Sequence, residues 1–519
     1  MSNFSAVLPN SPASKSKRGN FMGGRLSSES KAPEVVEHLM TPFLKDQEEY
    51  FDVHLKIHKA HVVMLSTVGL LDSQDTDKLL TALLGLEHAG KAGLSLHLNT
   101  DLYMQMERFV IERTGDLGGR MHTGRSRNDL YATASRLMTR DKLLGVLDCL
   151  VDLQSAIIDK VGKEAGTVMP GYTHLQHAEP ITLGHYLLGF FDVIDRDIRR
   201  VISAYDEANV SALGAAALAG SSFPLDRDLT AALLGCGGVA ENSYDAVASR
   251  DYLLQAGSAL AILCGNIARV TDHIILWVTS EHNMFDLPDG YCYSSSIMPQ
   301  KRNPNFFLES LRARSARVNG HLMGALGTVK GTIFAHSRDM SYEINVPVNE
   351  ILNDATAMVR VMCGVLTALT PKREAMLSNC SGQFSGATEL ANLLVQECGL
   401  PFRSAYLVVA TLVRQATARS QRPQDISCLD LDDVSTQLFG KKLGLPNDKL
   451  QAALDPARNV QMKQTAGSPG QESIEAMLRL RHTRLEQVQR TLEQKKRTID
   501  DANQRLAAEI ANRVSMTAA

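Results

Sequence analysis

The sequence predicts a mostly helical protein, and three observations carry that prediction. Aromatic residues make up only 5% of the 519 positions, with a single Trp; strands draw on aromatic and β-branched side chains, whereas helices draw on Ala and Leu. Four segments, 127–165, 181–205, 250–280 and 304–323, run long with few internal Gly or Pro residues. The third of these, Asp251 to Val278, is apolar almost all round (Leu253, Leu254, Leu260, Ile262, Leu263, Ile267, Val270). A helix without a polar face is buried, and one chain's helices would struggle to cover it, so the pattern suits a large core or an oligomeric bundle.

The same reading orders the rest of the chain. Residues 1–22 are rich in Ser, Pro and Lys and read as a disordered tail. Residues 23–125 read as an N-terminal helical domain, with apolar positions at helical spacing as in Val62, Leu65, Val68 and Leu71, closed by the Gly-rich stretch 115–124. Residues 126–371 hold the long helices of a central bundle. Near Pro371 the segments shorten, and 372–519 read as a C-terminal helical domain with a polar loop at 420–433 and a last helix from Glu472 to Arg513. Along that helix Glu486 and Arg490 stand four residues apart, a favourable pair.

Composition excludes several function classes. Hydrophobic residues are 44% and charged residues 21%, with a formal net charge of −3, so no global charge draws the chain to nucleic acid or anionic membrane. The eight cysteines are scattered without a CxxC pair, against a zinc site or a disulfide framework, and fit reduced thiols. No GxxxxGK[ST], HExxH or EF-hand loop occurs, so neither metal nor cofactor is expected. The string Gly235 to Ala240 matches GxGxxA but lacks a strand–helix setting and reads as a turn. With no signal-peptide core and no window of about 18 uninterrupted apolar residues, the expected compartment is the cytoplasm.

Three stretches concentrate polar, anion-binding groups. The first, His122 to Asp129 (HTGRSRND), precedes a long helix. Ser126 and Asn128 suit its N-cap, and the exposed N–H groups of a helix start, with Arg125 and Arg127, suit a carboxylate. Solvated arginines on a capped helix are the plainer alternative. The second, Gly171 to Gln176 (GYTHLQ), is bracketed by Pro170 and Pro180. It holds Thr173 and also His174, the one side chain there able to trade a proton near neutral pH, although a lone His is more often structural. The third, Ser294 to Pro304 (SSSIMPQKRNP), is a donor-rich loop able to close on an anion. Apolar Ile297 and Met298 argue that part of it packs.

Together these stretches resemble the signature regions of the fumarase/aspartase superfamily, and most closely the argininosuccinate lyase family. GGRMHTGRSRND, MPGYTHLQHAEP and SSIMPQKRNP carry the resemblance, supported by ALAGSSFPLDR, NSYDAVASRDYLL, FSGATELANLLVQECGLPFRSAY and RNVQMKQTAGSPG. It implies an all-α, three-domain protein whose central helices associate in a homotetramer, with active sites composed from different subunits. It also implies elimination of fumarate from a small-molecule N-substituted aspartate. Ser295 would be the catalytic base, His174 the acid or its relay, and Glu309 the carboxylate orienting that histidine. Ser126, Arg127, Asn128 and Thr173 would hold the succinyl portion, with Ser296, Gln300, Lys301 and Asn303 supplied by the loop. A catalytically inactive crystallin-like relative, or another elimination of the superfamily, would keep the same fold; the retained Ser295, Lys301, Asn303 and His174 argue against the first.

The departures from the family gather on the amine side. Where the family carries Tyr, Gln and a final Lys that contact substrate, this chain has His336, Ser341 and Ile344. The residue before the Ser295–Ser296 pair is Ser294 rather than Gly, and one extra residue separates Asn303-Pro304 from Glu309. The family's Gly-Ser-Gly turn is Gly214-Ala215-Ala216 here. The leaving amine is therefore open: argininosuccinate itself, an aminopolycarboxylate, or another N-substituted aspartate.

Overall fold

The computed structural model describes residues 31–94 and 100–515; the tail expected over residues 1–22 lies outside them. Helices dominate. α1 (Phe51–Thr67), α2 (Ser73–Ala89) and α3 (Leu102–Thr114) form the N-terminal unit, and a 3₁₀ turn over Gly115–His122 leads to α4 (Arg127–Glu164). A hairpin of β1 (Val168–Thr173) and β2 (Gln176–Thr182) follows, then α5 (Leu183–Ala208) and α6 (Asp251–Trp277). A two-residue ribbon, β3 (Tyr293–Ser294) with β4 (Arg302–Asn303), carries the third signature stretch before α7 (Phe306–Lys330) and α8 (Asn345–Ala368). Shorter helices α9 (Ala387–Cys398), α10 (Phe402–Ala418), α11 (Cys428–Phe439) and α12 (Asn447–Leu454) precede the last and longest, α13 (Gln471–Ser515).

Helices α4 to α8 pack into one bundle whose core runs from Leu143 and Leu153 of α4 through Phe191, Leu260 and Ile267 to Met358 of α8, all at most 1% exposed. Burying a side chain of this size contributes about 1.5–3 kcal/mol. Two helical runs, Asp251–Trp277 and Asp339–Ala368, are long and apolar enough by composition to cross a membrane, yet both supply buried side chains to this bundle. A second core joins α1 to α3 with Leu130 and Leu137 of α4, and a third gathers α9 to α12 around Leu394, Val408 and Leu450. α13 does not fold onto that third core. It gives Ile474, Leu485 and Leu492 to the bundle and Leu506 and Ile510 to the N-terminal core.

Local chemistry explains the boundaries. Thr182 caps α5 by accepting from His185 N at 3.1 Å, and Asp101 caps α3 by accepting from Met104 N at 2.9 Å. The polar stretch 420–433, expected as a loop, instead starts a helix at Cys428. There Ser427 and Asp430 form a capping box, each side chain bonding the other's backbone N–H. The Gly235–Ala240 string is a helix end and turn, as its glycines suggest: Gly235 (φ +71°) stops the helix Arg227–Leu234, and Gly238-Val239 pairs with Val210-Ser211. Glu486 and Arg490 of α13 pair at 3.2 Å.

Candidate active site

The first signature stretch is built around a buried carboxylate. Ser126 is the N-cap of α4, its Oγ accepting from Asn128 N at 3.3 Å, while Asp129 Oδ1 accepts from Ser126 N at 2.9 Å. The other oxygen of Asp129 accepts from Gly214 N and Ala216 N, both at 2.9 Å, and so ties the motif to the turn before ALAG. Burial pushes the Asp129 carboxyl up to about 6, against the opposing pull of these N–H donors and Arg125. Arg127 pairs with Asp101 at 2.7 Å, and Asn128 donates to Ala217 O at 3.0 Å.

Arg125 points the other way, into the N-terminal core. Its Nη2 lies 2.6 Å from His58 Nδ1, and its Nε 3.5 Å from His122 Nδ1. His54, His58 and His61 are all 0% exposed and stand on one face of α1. They were not anticipated as part of the site, although their i, i+4, i+7 spacing is a legible helical stripe. Burial first, then the charge of Arg125, lowers His54 to about 3 and His122 to about 4.

The second stretch forms the tip of the β1–β2 hairpin. Thr173 pairs with Gln176, leaving His174 (φ +54°) and Leu175 (φ +59°) as the two turn residues. Two left-handed residues in a two-residue hairpin make a type I′ turn, which Asn and Gly adopt more easily than His and Leu. Both side chains are exposed, Leu175 by 70%.

The third stretch is a loop clamped at its foot. Arg302 donates to Asp286 Oδ1 and Asp289 Oδ1, each at 2.8 Å, and to Leu287 O. Ser295 Oγ accepts from Ile297 N at 3.3 Å and Met298 N at 3.0 Å, turning the chain back on itself. Ser296, Gln300 and Lys301 are exposed, and Asn303 Oδ1 accepts from Asn305 N at 3.0 Å. The expectation that Ile297 packs is not met within one chain, where it is 83% exposed. Glu309 stands exposed in the first turn of α7.

One cavity joins the first stretch to residues 336–353. It encloses about 490 Å³ between the segment 40–54, the start of α3, the α4 face of Arg127, Tyr131 and Ser135, and residues 336–353. His336 and Ser341 line it; Ile344, expected beside them, is instead fully buried in the bundle core and does not line it. Thr173 lines a different cavity, beside His185 and Trp277, while neither cavity is lined by His174 or Ser295. Within one chain the structure thus brings Arg127, His336 and Ser341 together and leaves the hairpin tip and the loop apart from them.

Comparison with known proteins decides what this arrangement belongs to. A family model described as "Lyase" matches residues 94–320, and one described as "Argininosuccinate lyase C-terminal" matches residues 384–461. Argininosuccinate lyase 1 of Shouchella clausii is 35% identical over 93% of this chain and 96% of its own length. The chain belongs to the argininosuccinate lyase family. Argininosuccinate lyase of Methanothrix thermoacetophila is 37% identical over 89% of this chain and 93% of its own. Among solved structures, EDDS lyase in complex with formate superposes with a TM-score of 0.84 at 29% identity, over 94% of this chain and 96% of that one. A class II fumarase from Schistosoma mansoni shares the fold at a TM-score of 0.66 and 18% identity, over 81% of this chain and 92% of that one. This member of the argininosuccinate lyase family is a carbon–nitrogen lyase with the all-α fumarase/aspartase-type fold.

Proposed function

We propose that the enzyme eliminates fumarate from an N-substituted aspartate, with a leaving amine other than that of the family's usual substrate. The carrying observation is the cavity that runs from Arg127 to His336 and Ser341, where the sequence departs from the family. In this reading Ser295 removes a proton from the carbon next to the distal carboxylate. The electron pair first resides in a doubly charged aci-carboxylate, then closes the double bond as the carbon–nitrogen bond breaks. The amine leaves protonated, through His174 with Glu309 as its orienting carboxylate, and the product is fumarate.

A carbon acid of this kind is weak, so placed donors facing the new charge supply most of the stabilisation. Lys301 and Asn303 take that role, each charge-assisted bond being worth roughly 1.5–3 kcal/mol. Ser126, Arg127, Asn128 and Thr173 hold the succinyl carboxylates, with Ser296 and Gln300 closing from the loop. A free serine hydroxyl is a poor base, and its activation comes from this positive field once the loop closes.

The exposed placement of His174, Ile297 and Lys301 in a single chain supports sites composed from several copies, as in a homotetramer. No partner other than small-molecule substrate and further copies of the chain is invoked, and no cofactor is given a role.

Fumarate release, followed by its ultraviolet absorbance, tests the reading. Purified enzyme is offered argininosuccinate and a panel of N-substituted aspartates. Release from the panel with little from argininosuccinate is the expected result. Robust turnover of argininosuccinate would make His336, Ser341 and Ile344 tolerated variation and overturn the altered-amine reading.

A further inference from the structure

The cavity that reaches from Arg127 to His336 is lined by exposed charged side chains and by a buried, mostly uncharged polar set. Asp46, Glu49, Arg338 and Glu350 line it from exposed positions. Its buried polar lining is neutral: Gln47, His54, Ser135 and Asn345, all under 9% exposed, together with Asp101, whose charge is met by Arg127 at 2.7 Å. Most of these groups already have partners. Gln47 accepts from Leu102 N at 2.9 Å, and Ser135 donates to Asn345 Oδ1 at 2.6 Å.

His54 does not. It is fully buried with both ring nitrogens unbonded, whereas Tyr131 faces Gln47 and Asp101 and His336 faces the Val247 backbone. A buried polar atom without a partner is unfavourable, and both nitrogens of this one ring are in that state beside the cavity. The His54 and Tyr131 rings are 5.6 Å apart. A neutral imidazole offers one donor and one acceptor, and a phenol offers both. Burial and the nearby Arg125 keep His54 neutral; the same Arg125 opposes a cation beside it, and the lining cations Lys31, Arg127 and Arg338 all stand at exposed positions, with Arg127 paired to Asp101.

We propose that the leaving amine carries an uncharged hydrogen-bonding group, a hydroxyl or carboxamide, received at the buried lining of the cavity by the unpartnered ring nitrogens of His54, so that His54 determines which amine is accepted. The proposal rests on the lyase reading above and adds the chemistry of the amine's far end.

The test runs the reaction backwards. The intact enzyme is given fumarate and straight-chain primary amines of matched length ending in hydroxyl, carboxamide, methyl, ammonium or carboxylate. Loss of fumarate absorbance gives kcat/KM for each, because a site built to bond a polar group rejects analogues lacking it. Hydroxyl or carboxamide amines are expected to exceed the methyl-ended amine by at least about 10-fold. His54→Leu should erase that preference while leaving the fumarate KM and the oligomer unchanged. A preference for methyl-ended or charged amines, or full selectivity retained in His54→Leu, would overturn the proposal.

Calorimetry of the same amines without fumarate separates the two readings. If no amine adds to fumarate, the elimination reading fails. Binding of the hydroxyl or carboxamide amine that His54→Leu weakens about 10-fold would still uphold the cavity proposal, and absence of such binding would sink it.

Discussion

Nη2 of Arg125 stands 2.6 Å from Nδ1 of His58 inside the N-terminal core, and both side chains are buried. Arginine has only donors to offer, so the imidazole accepts there and carries its proton on Nε2. Burial, followed by Arg125, holds His58 and His61 well below the usual histidine range, as it holds His54 at about 3. In the unfolded chain these imidazoles titrate near 6.5. Below that pH the unfolded state binds more protons than the folded state, so stability falls as pH falls.

The three fully buried histidines therefore predict a loss of up to about 4 kcal/mol per pH unit below about pH 6. Asp129, raised to about 6, works in the opposite direction, as do the raised Glu107 and Asp197, while His122, lowered to about 4, adds to the histidine effect. Denaturant midpoints between pH 7.5 and pH 5 check this. His58→Leu does not restore acid stability, because it strands Arg125; a flat profile in the unmodified protein would contradict the account.

Asp129 receives three backbone N–H groups, from Ser126, Gly214 and Ala216. Asp129→Ala strands them, and at roughly 1–3 kcal/mol for each buried unsatisfied group the expected loss is at least about 3 kcal/mol. Urea unfolding measures it. Asp129→Asn, which keeps one acceptor oxygen, should lose less.

Ala216 sits at φ +53°, in the left-handed region that glycine adopts more readily. A Cβ in this region is unfavourable by about 1–2 kcal/mol. Ala216→Gly should therefore raise stability by about 1 kcal/mol, offset in part by the greater freedom of glycine in the unfolded chain. A thermal unfolding scan would register the gain as a higher midpoint.

Ser295→Ala should reduce fumarate release by about 100- to 10,000-fold while leaving the oligomer and the fold intact. Native mass and circular dichroism establish the second half of that statement. Turnover at the unsubstituted rate would remove Ser295 from the chemistry.

Much of this was legible in the residues themselves. The helix expected over 127–165 is found as Arg127–Glu164, because a Ser-Asp capping box marks its start. The apolar run from Asp251 is a helix that gives one face to the core, while Ile262 on its other side is 46% exposed in a single chain. The helix from Pro304 overran its expected end at Met323 to reach Lys330: Gly320, Gly324 and Gly327 weaken a helix without stopping one that packs against α6 and α8. The cavity was not legible, because its walls come from segments near residues 40, 100, 130 and 340 that only tertiary packing brings together. His54 was missed for a related reason: a histidine on a core-facing stripe has the same spacing whether its nitrogens are satisfied or left for a ligand.

The long final helix has a consequence for synthesis. Leu506 and Ile510 complete the N-terminal core, and Arg513 donates to Thr67 Oγ1 at 3.0 Å across 446 positions of chain. At about 5–20 residues per second, the first unit waits tens of seconds on the ribosome for the segment that seals it. Its open face, lined by Leu55 and Leu84, is then a surface for chaperones to shield. Truncating the last turns of that helix would expose the beginning of the protein rather than its end.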